Sequence, residues 1–146
     1  MIVCLDTNTV VQALAQHHPF HPILDAWVAG RLTWAVSTPI LLEYQEVLTR
    51  LSGPARWRKL ARLMDLAELT SGNLLRVTPS FQFHVVTADE DDNIFTDCAI
   101  TAQADYVLTE DAHFAPLTEA GYKPRPLSPQ QFAAQALSRS GLKSGR

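Results

Sequence analysis

Residues 88–111, ADEDDNIFTDCAITAQADYVLTED, combine a dense run of acidic side chains with the pattern of a buried helix and strand. The helix is predicted from about residue 92 to 104, and the strand at Tyr106-Val107-Leu108. A helix that leads into an apolar strand is typical of α/β domains. Eight of the chain's fifteen acidic residues lie in this segment: Asp89, Glu90, Asp91, Asp92, Asp97, Asp105, Glu110 and Asp111. Carboxylates packed this closely repel one another, so their position beside a core needs an explanation.

The rest of the chain alternates between apolar strands and helices in the same way. An edge strand is predicted at residues 122–127, because Pro124 and Pro126 would weaken a central one. The other predicted strands are residues 2–5, 34–36 and 74–77. Helices are predicted at residues 9–16, 22–30, 39–51, 55–70 and 112–117, and from 129 to about 137. This order predicts an α/β domain with a mostly parallel sheet, in which ligands bind beyond the carboxyl ends of the strands.

Composition and length indicate one ordinary globular domain. The chain has 146 residues, of which 47% are hydrophobic and 18% charged. No apolar run approaches the roughly 20 residues that span a bilayer, and the N-terminal stretch lacks the basic leader of a signal peptide. Cys4 and Cys98 each lie in an apolar context and form no disulfide framework. We therefore expect a cytoplasmic protein that does not enter a membrane.

Basic residues are segregated from the acids. The net charge is −3, which argues weakly against a nucleic-acid partner. A basic cluster nevertheless falls between residues 50 and 62, formed by Arg50, Arg56, Arg58, Lys59 and Arg62. This cluster could neutralise RNA phosphates, dock a partner protein or form a solvated face. Trp57 lies on the apolar stripe of its helix, which favours a core position over stacking on a base.

Four acids from separate places are predicted to meet at one edge of the sheet. Asp6 follows the first strand, Asp111 follows the strand at 106–108, and Asp92 opens the helix before that strand. Glu43 lies at the border of the apolar face of the helix after the second strand. A single acid of this kind is more often a helix cap or a solvated charge. Four together favour a hard divalent cation, because Mg²⁺ and Mn²⁺ prefer carboxylate oxygens.

Four motifs, taken in order, resemble those of PIN domains, and above all the subgroup of toxins from toxin–antitoxin pairs, the VapC-like ribonucleases. They are LDTNTVV (5–11), STPILLEYQEVL (37–48), DEDDNIFTDCAITAQADYVLTED (89–111) and TEDAHF (109–114). The resemblance extends from residue 2 to about residue 132. It implies a single three-layer α/β/α domain with about five strands. We assign this PIN-like nuclease domain to residues 1–137 and a flexible tail to residues 138–146.

The same resemblance implies the roles of individual residues. The metal ligands and catalytic acids would be Asp6, Glu43, Asp92 and Asp111. Asp97 is a further catalytic candidate, although helix spacing alone does not bring it to Asp92. Asn8, Ser37 and Thr109 would orient substrate, while Ser37 also suits an N-cap. Asp89 fits either a ligand or a loop, and Glu110 replaces the glycine common in the subgroup.

The implied activity is that of a metal-dependent endoribonuclease acting on single-stranded or structured RNA. One or two Mg²⁺ or Mn²⁺ ions would take part. Water would attack the phosphodiester phosphorus in line, leaving a 5′-phosphate and a 3′-hydroxyl, with Asp92 or Asp97 helping to deprotonate it. The subgroup also implies a homodimer and a cognate antitoxin protein as partner.

Other functions compete with this interpretation. A non-catalytic RNA- or protein-binding module would use the same fold without metal. LDTNTVV also resembles the start of haloacid dehalogenase-like phosphatases, although Asn8 replaces their second aspartate. The histidines of HHPFH, at 17, 18 and 21, could suit zinc, but Pro19 breaks the helix that a zinc site would need, which favours solvated loop residues.

Overall fold

The fold is built on a five-stranded sheet in which every strand is parallel to its neighbours. A computed structural model describes residues 1–86, 93–119 and 123–137. The spatial order of the strands is β3-β2-β1-β4-β5. The strands are β1 (Ile2–Leu5), β2 (Thr33–Val36), β3 (Leu74–Arg76), β4 (Tyr106–Leu108) and β5 (Arg125–Leu127). The predicted α/β fold with about five parallel strands is confirmed, and β5 lies at an edge as its prolines indicate.

Seven helices connect these strands within the described ranges. They are α1 (Thr7–Ala13), α2 (His21–Val28), α3 (Thr38–Ser52), α4 (Pro54–Thr70), α5 (Asn93–Thr101), α6 (Pro116–Glu119) and α7 (Pro129–Phe132). A 3₁₀ turn covers Ala112–Phe114, and a wider π-type turn continues α7 over Ala133–Leu137. Prolines stand in the first turns of α2, α3, α4 and α7, where their missing N–H costs nothing.

The strand order places a crevice in the middle of the sheet. The chain moves outward from β1 through β2 to β3 and then returns to the other side of β1 as β4 and β5. Right-handed crossovers put the helices of these two halves on opposite faces, which gives the three-layer α/β/α arrangement. The order reverses between β1 and β4, whose registered residues include Leu5 and Leu108. Ligands of such sheets bind beyond the strand ends at this point.

A row of aromatic rings joins β2 to α2, α3 and α5. Trp27 meets Trp34 of β2 edge to face at 5.0 Å between ring centroids, Trp34 lies 5.8 Å from Tyr44, and Tyr44 lies 6.3 Å from Phe95. The hydroxyl of Tyr44 donates to the backbone carbonyl of Leu5. These side chains are fully buried, so the row holds α3 and α5 against the sheet end where β1 finishes.

Several predicted boundaries are wrong by a few residues. The first helix begins at Thr7 and ends at Ala13, whereas the sequence predicts 9–16, because Asp6 supplies its cap. The helix predicted to reach residue 104 ends at Thr101, and Gln103 follows with a positive φ of 54°. The hydroxyl of Ser37 makes no capping bond to α3. Residues 138–146, the predicted tail, lie outside the described residues.

Trp57 packs against the core, as its position on the apolar stripe predicts. Cys4 and Cys98 are free and buried. His21 is not a solvated loop residue: it begins α2, its Nδ1 lies 2.8 Å from the carbonyl oxygen of Ala13, and its Nε2 pairs with Asp25. In the described part of the chain, no helix combines the length and apolar character required to cross a bilayer.

Candidate active site

Polar residues follow β1 and β4 at the point where the strand order reverses. Asp6 is the first residue after β1, and Thr109 is the first after β4. The N–H of Asp6 donates to the carbonyl of Leu108 at 3.2 Å, which continues the ladder between the two strands by one residue. The parallel pairing thus brings these two positions together although 103 residues separate them.

Asp6 is buried and fixed through both carboxylate oxygens. Its side chain is 6% exposed. Oδ1 accepts the N–H of Thr9 at 2.8 Å, which caps α1, and Oδ2 accepts the hydroxyl of Thr109. The hydroxyl of Thr9 in turn donates to the carbonyl of Leu108 at 3.1 Å. The carboxylate therefore cannot rotate without breaking two bonds.

The protonation of Asp6 is shifted by this environment. Burial raises the pKa of Asp6 above its ordinary value, the hydrogen bonds from Thr109 and Thr9 oppose that rise, and the charge of Asp111 adds to it. A buried carboxylate with a second acid nearby favours protonation, because the loss of water and the like charge both disfavour its ionised form. A bound divalent cation would reverse the sign of this local field.

Glu43 reaches the same place from α3. It is half-buried and accepts a hydrogen bond from the hydroxyl of Thr7, the first residue of α1. Thr7 adjoins Asp6, so the bond ties the second acid to the segment that holds the first. The predicted position of Glu43 at the border of the apolar face of α3 is confirmed, since Tyr44 beside it is fully buried.

Asp111 is positioned by the turn after β4. Its N–H donates to the hydroxyl oxygen of Thr109 at 2.9 Å, and its Oδ1 accepts the N–H of His113 at 2.9 Å. The ring nitrogen Nδ1 of His113 lies 3.3 Å from the same oxygen. Thr109 thus contacts Asp6 with its hydroxyl hydrogen and Asp111 with its hydroxyl oxygen, and one side chain sets the relation between the two acids.

Three of the four predicted metal ligands line one cavity. This acid cavity, of about 210 Å³, is bordered by Asp6, Thr7, Asn8, Glu43, Val47, Arg50, Phe95 and Asp111. A neighbouring cavity of about 450 Å³ shares Asp6, Asn8 and Asp111 and adds Thr9, Val11, Gln12 and Glu110. The shared acids form the boundary between the two. Asn8 is exposed there, and its predicted role in orienting substrate stays a prediction.

Comparison with known proteins identifies the family. A sequence profile described as PIN domain matches residues 2–113. This chain belongs to the PIN domain family. The family prediction is confirmed, and so are the parallel sheet and three-layer fold that it implies. No curated protein matches the chain.

A solved structure is similar to this PIN domain. It is the crystal structure of VapBC2 from Rickettsia felis bound to a DNA fragment from the VapBC2 promoter. The TM-score is 0.52 at 18% sequence identity, and the alignment covers 76% of this chain and 88% of that chain. At this identity the similarity concerns the fold.

The remaining predicted acids of the PIN domain divide into two groups. Asp92 and Asp89 lie outside the described residues. Asp97 is described: it is 8% exposed, and its Oδ1 accepts the N–H of Phe83 at 3.0 Å. Asp97 does not border the acid cavity. Its contact with the backbone before residue 87 anchors the chain there, and its predicted catalytic role stays a prediction.

Ser37 is the first residue after β2 and lies at the same end of the sheet as Asp6 and Thr109. Its side chain is buried, with 3% exposure, and its hydroxyl has no hydrogen-bond partner among the described residues. It does not border either cavity described above. The predicted role of Ser37 in orienting substrate therefore stays a prediction.

The donor set of the PIN domain suits a hard divalent cation. All three acids that border the cavity offer carboxylate oxygens, the ligands that Mg²⁺ and Mn²⁺ prefer. Within residues 1–86, 93–119 and 123–137, no three acidic, histidine or cysteine side chains stand close enough to form a ligand group. The chemistry of the carboxylates that border the cavity, rather than a preformed ligand group, is therefore what favours a cation here.

Sequence reasoning did not place several residues at this cavity, although it named Arg50 as part of the basic cluster. Thr7, Arg50 and Phe95 border it together with the acids. Thr7 follows Asp6 in the LDTN motif, and this adjacency could have predicted its position at the cavity. The approach of Phe95 depends on how α5 crosses the sheet, and no short-range pattern reports that. Arg50 follows Glu43 by seven residues on α3, a helical spacing that puts both on one face.

Proposed function

We propose that this PIN domain is a metal-dependent endoribonuclease and the toxin of a toxin–antitoxin pair. The observation that carries the proposal is the convergence of Asp6, Glu43 and Asp111 on one cavity. They come from the end of β1, from α3 and from the turn after β4. The three carboxylates border this cavity at the topological switch point of the sheet, where α/β folds bind their ligands.

Family and fold support the toxin assignment. PIN membership is accompanied by motifs resembling those of the VapC-like subgroup, and the fold is similar to a chain of VapBC2. By that resemblance we propose an antitoxin partner and a homodimer. Light scattering on the purified chain tests the dimer, and a monomeric mass at all concentrations would contradict it.

The residues of the cavity have separate tasks in the proposed reaction. Asp6, Glu43 and Asp111 would hold the cation, with Asp92 completing the set. When bound, one or two Mg²⁺ or Mn²⁺ ions supply charge neutralisation at the phosphate and lower the pKa of water. Thr109 and Thr7 hold Asp6 and Glu43 in place, which preserves ligand geometry between turnovers.

The chemistry itself is a hydrolysis. Water adds to phosphorus in line with the bond to the 3′-oxygen, that bond breaks, and the 3′-oxygen takes up a proton. The products are a 5′-phosphate and a 3′-hydroxyl. The proton lost by water passes to a carboxylate at the site, and we assign this to Asp92, because Asp97 is occupied by the N–H of Phe83 and does not border the cavity.

RNA cleavage tests the proposal. With Mg²⁺ or Mn²⁺, wild type should cut single-stranded RNA, and Asp6→Asn and Glu43→Gln should each lose at least about a hundredfold in rate, because even groups that only support a metal ligand are worth 10–100-fold. Glu46→Gln is the matched control: Glu46 is exposed on the same helix and does not border the acid cavity. Equal cleavage by wild type and Asp6→Asn, or none with any metal, would refute the enzyme.

Thermal unfolding separates the enzyme from a non-catalytic binding module. An ion that binds the folded state raises the melting temperature. Mn²⁺ should therefore stabilise wild type and not Asp6→Asn. Without metal, Asp6→Asn should melt higher at neutral pH: the raised pKa means that the ionised Asp6 destabilises the fold, and the amide removes that charge. Indifference of wild type to Mn²⁺ would favour the binding module.

A further inference from the structure

Arg50 brings a positive charge to the acid cavity. It borders the cavity together with Glu43 and Val47. These three side chains stand at i, i+4 and i+7 on α3, so they form one stripe of the helix facing the site. The stripe begins at the acid tied to Thr7 and ends at the guanidinium.

The charge of Arg50 is not committed elsewhere. Its side chain is exposed and, within the described ranges, forms no ion pair or hydrogen bond. Two other cations of the chain are paired: Arg76 lies 2.8 Å from Glu68 and Lys123 lies 2.7 Å from Asp105. Arg50 is therefore a cation beside an anionic cavity that is available to a ligand.

We propose that Arg50 binds a phosphate of the RNA strand adjacent to the one that is cleaved. This inference rests on the proposed function and deepens it by assigning a substrate contact. Once a divalent cation neutralises the carboxylates, they no longer attract the guanidinium of Arg50, which can then bind an anion of the substrate. Its planar fork of N–H donors matches two oxygens of a phosphate.

The two sides of the site differ in charge. The neighbouring cavity beyond Asp6 and Asp111 is bordered by Asn8, Gln12 and Glu110 and by no lysine or arginine. Among the residues that border these two cavities, Arg50 is therefore the only one that offers a positive charge to the phosphate backbone of RNA. An RNA strand that crosses the acids would be bound by the charge of Arg50 in the acid cavity and by the amide groups of Asn8 and Gln12 in the neighbouring cavity.

A second explanation of Arg50 makes a different prediction. Arg50 stands in the last turn of α3, where a cation interacts favourably with the helix dipole. That role affects stability alone. A phosphate contact instead affects RNA affinity and its dependence on salt, because each neutralised phosphate of a single strand contributes about −0.7 to the slope of log K against log salt.

Binding in a cleavage-deficient background tests the inference. The parent is Asp6→Asn, and the probe is a fluorescein-labelled single-stranded RNA of random sequence, followed by anisotropy over a series of KCl concentrations. Adding Arg50→Ala should weaken binding about tenfold, between the effects of an exposed ion pair and a charged hydrogen bond. The salt slope should become shallower by about 0.7.

Two controls accompany this variant. Arg125→Ala removes an exposed arginine at the start of β5, on the opposite edge of the sheet, and should leave affinity and slope unchanged. Arg50→Lys keeps the charge but not the planar fork, so it should retain the slope and lose part of the affinity. Melting curves of all variants confirm that each is folded.

The outcomes separate this inference from the proposed function. If wild type cuts RNA but Arg50→Ala leaves the salt slope unchanged, the enzyme stands and the inference is overturned. The same holds if Arg50→Ala and Arg125→Ala weaken binding equally. If wild type cuts no RNA but Arg50→Ala alone flattens the slope, the contact of Arg50 with an RNA phosphate stands, while the enzyme and the place of that contact beside a cleaved phosphate are refuted. RNA that does not bind the parent overturns the inference.

Discussion

Asp6 shows how one side chain serves both folding and the candidate site. One of its oxygens caps α1 through the N–H of Thr9, and the other accepts the hydroxyl of Thr109. The sequence predicts Asp6 as an acid at a strand end, since apolar residues stop there. It does not predict the contact with Thr109, which arises only when β1 and β4 pair. The sequence also predicts the start of α1 two residues too late, because it does not show that Asp6 caps this helix.

The hydroxyl of Thr109 should set the pH at which the site becomes active. Its hydrogen bond lowers the pKa of Asp6, which burial has raised, so Thr109→Val should raise that pKa further. Because cation binding needs the carboxylate, the acidic limb of the pH–rate profile should move to higher pH. The rate on that limb should fall about 10–100-fold.

A matched variant isolates the hydroxyl in this prediction. Thr109→Ser keeps the O–H and should retain the wild-type limb. Cleavage rates measured over a pH series with saturating Mg²⁺ provide the test. A limb that stays in place in Thr109→Val would mean that Asp6 is not the group that titrates.

Glu43 marks the limit of residue-level prediction. Helical spacing alone places it at the border of the apolar face of α3, which the structure confirms. Its bond to Thr7 could not be predicted in this way, because it depends on where α1 starts and how α3 packs beside it. Short-range patterns thus identify the acids, and only packing identifies the groups that hold them.

At the scale of elements, Asn93 fixes the entry into α5. Its side chain accepts the N–H of Val86 and donates to the carbonyl of Val86, both at 2.8 Å. It is buried, and it stands next in sequence to Asp92. The two ends of the segment 87–92 are therefore held together by one amide. The sequence predicts the helix near residue 92 from its apolar pattern and gives no sign of this contact.

Removing the amide should affect stability and activity together. Asn93→Ala leaves the buried N–H and C=O of Val86 without this partner, which should cost about 1–3 kcal/mol of unfolding free energy in urea titrations. Cleavage should fall as well, because Asp92 loses its neighbour's anchor. Asn93→Asp keeps the acceptor and loses the donor, so its unfolding free energy should lie between those of wild type and Asn93→Ala. A loss of stability with full cleavage would separate Asp92 from the site.

Helix ends are where element prediction fails. The helix before β4 stops at Thr101, and the left-handed conformation of Gln103 turns the chain into the strand. Glutamine rarely adopts a positive φ, so no turn residue announces this end. The strand itself is predicted correctly, because an apolar run of β-branched and aromatic residues leaves few alternatives.

At the scale of the molecule, strand direction was predictable and the lateral order was not. Alternating strands and helices require crossovers, which makes the sheet parallel. That β1 lies between β2 and β4 follows from packing, and no pattern in the sequence reports it. This order creates the crevice, so the convergence of Asp6 and Asp111 belongs to the fold as a whole.

The end of the sheet where the strands begin should govern the stability of the fold at acidic pH. Burial alone would raise the pKa of Asp105, but the hydrogen bond and charge of Lys123 and the N–H of Ile2 together lower it. The N–H of Ile2 donates to Asp105 at 2.9 Å, so this acid links β1, β4 and the approach to β5. A lowered pKa contributes stability above the unfolded value, about 3.9, that is lost as pH falls through the folded value.

Replacing this acid should therefore have a pH-dependent effect. Asp105→Asn should cost about 1 kcal/mol at neutral pH, since the pair with Lys123 is partly exposed. The difference from wild type should shrink as pH falls below about 4. Urea unfolding over a pH series measures it, and Lys123→Met should reproduce the ion-pair part. A constant difference at all pH values would exclude the carboxylate charge as its cause.

The position of residue 1 has a practical consequence for how this domain can be handled. Met1 is 54% exposed and precedes β1 at the edge where Ile2 meets Asp105, whereas the acids stand where β1 ends. A chain anchored to a sensor surface through an extension at Met1 would therefore present the acid cavity to solution. Such an orientation allows RNA and metal to be exchanged over a single immobilised sample.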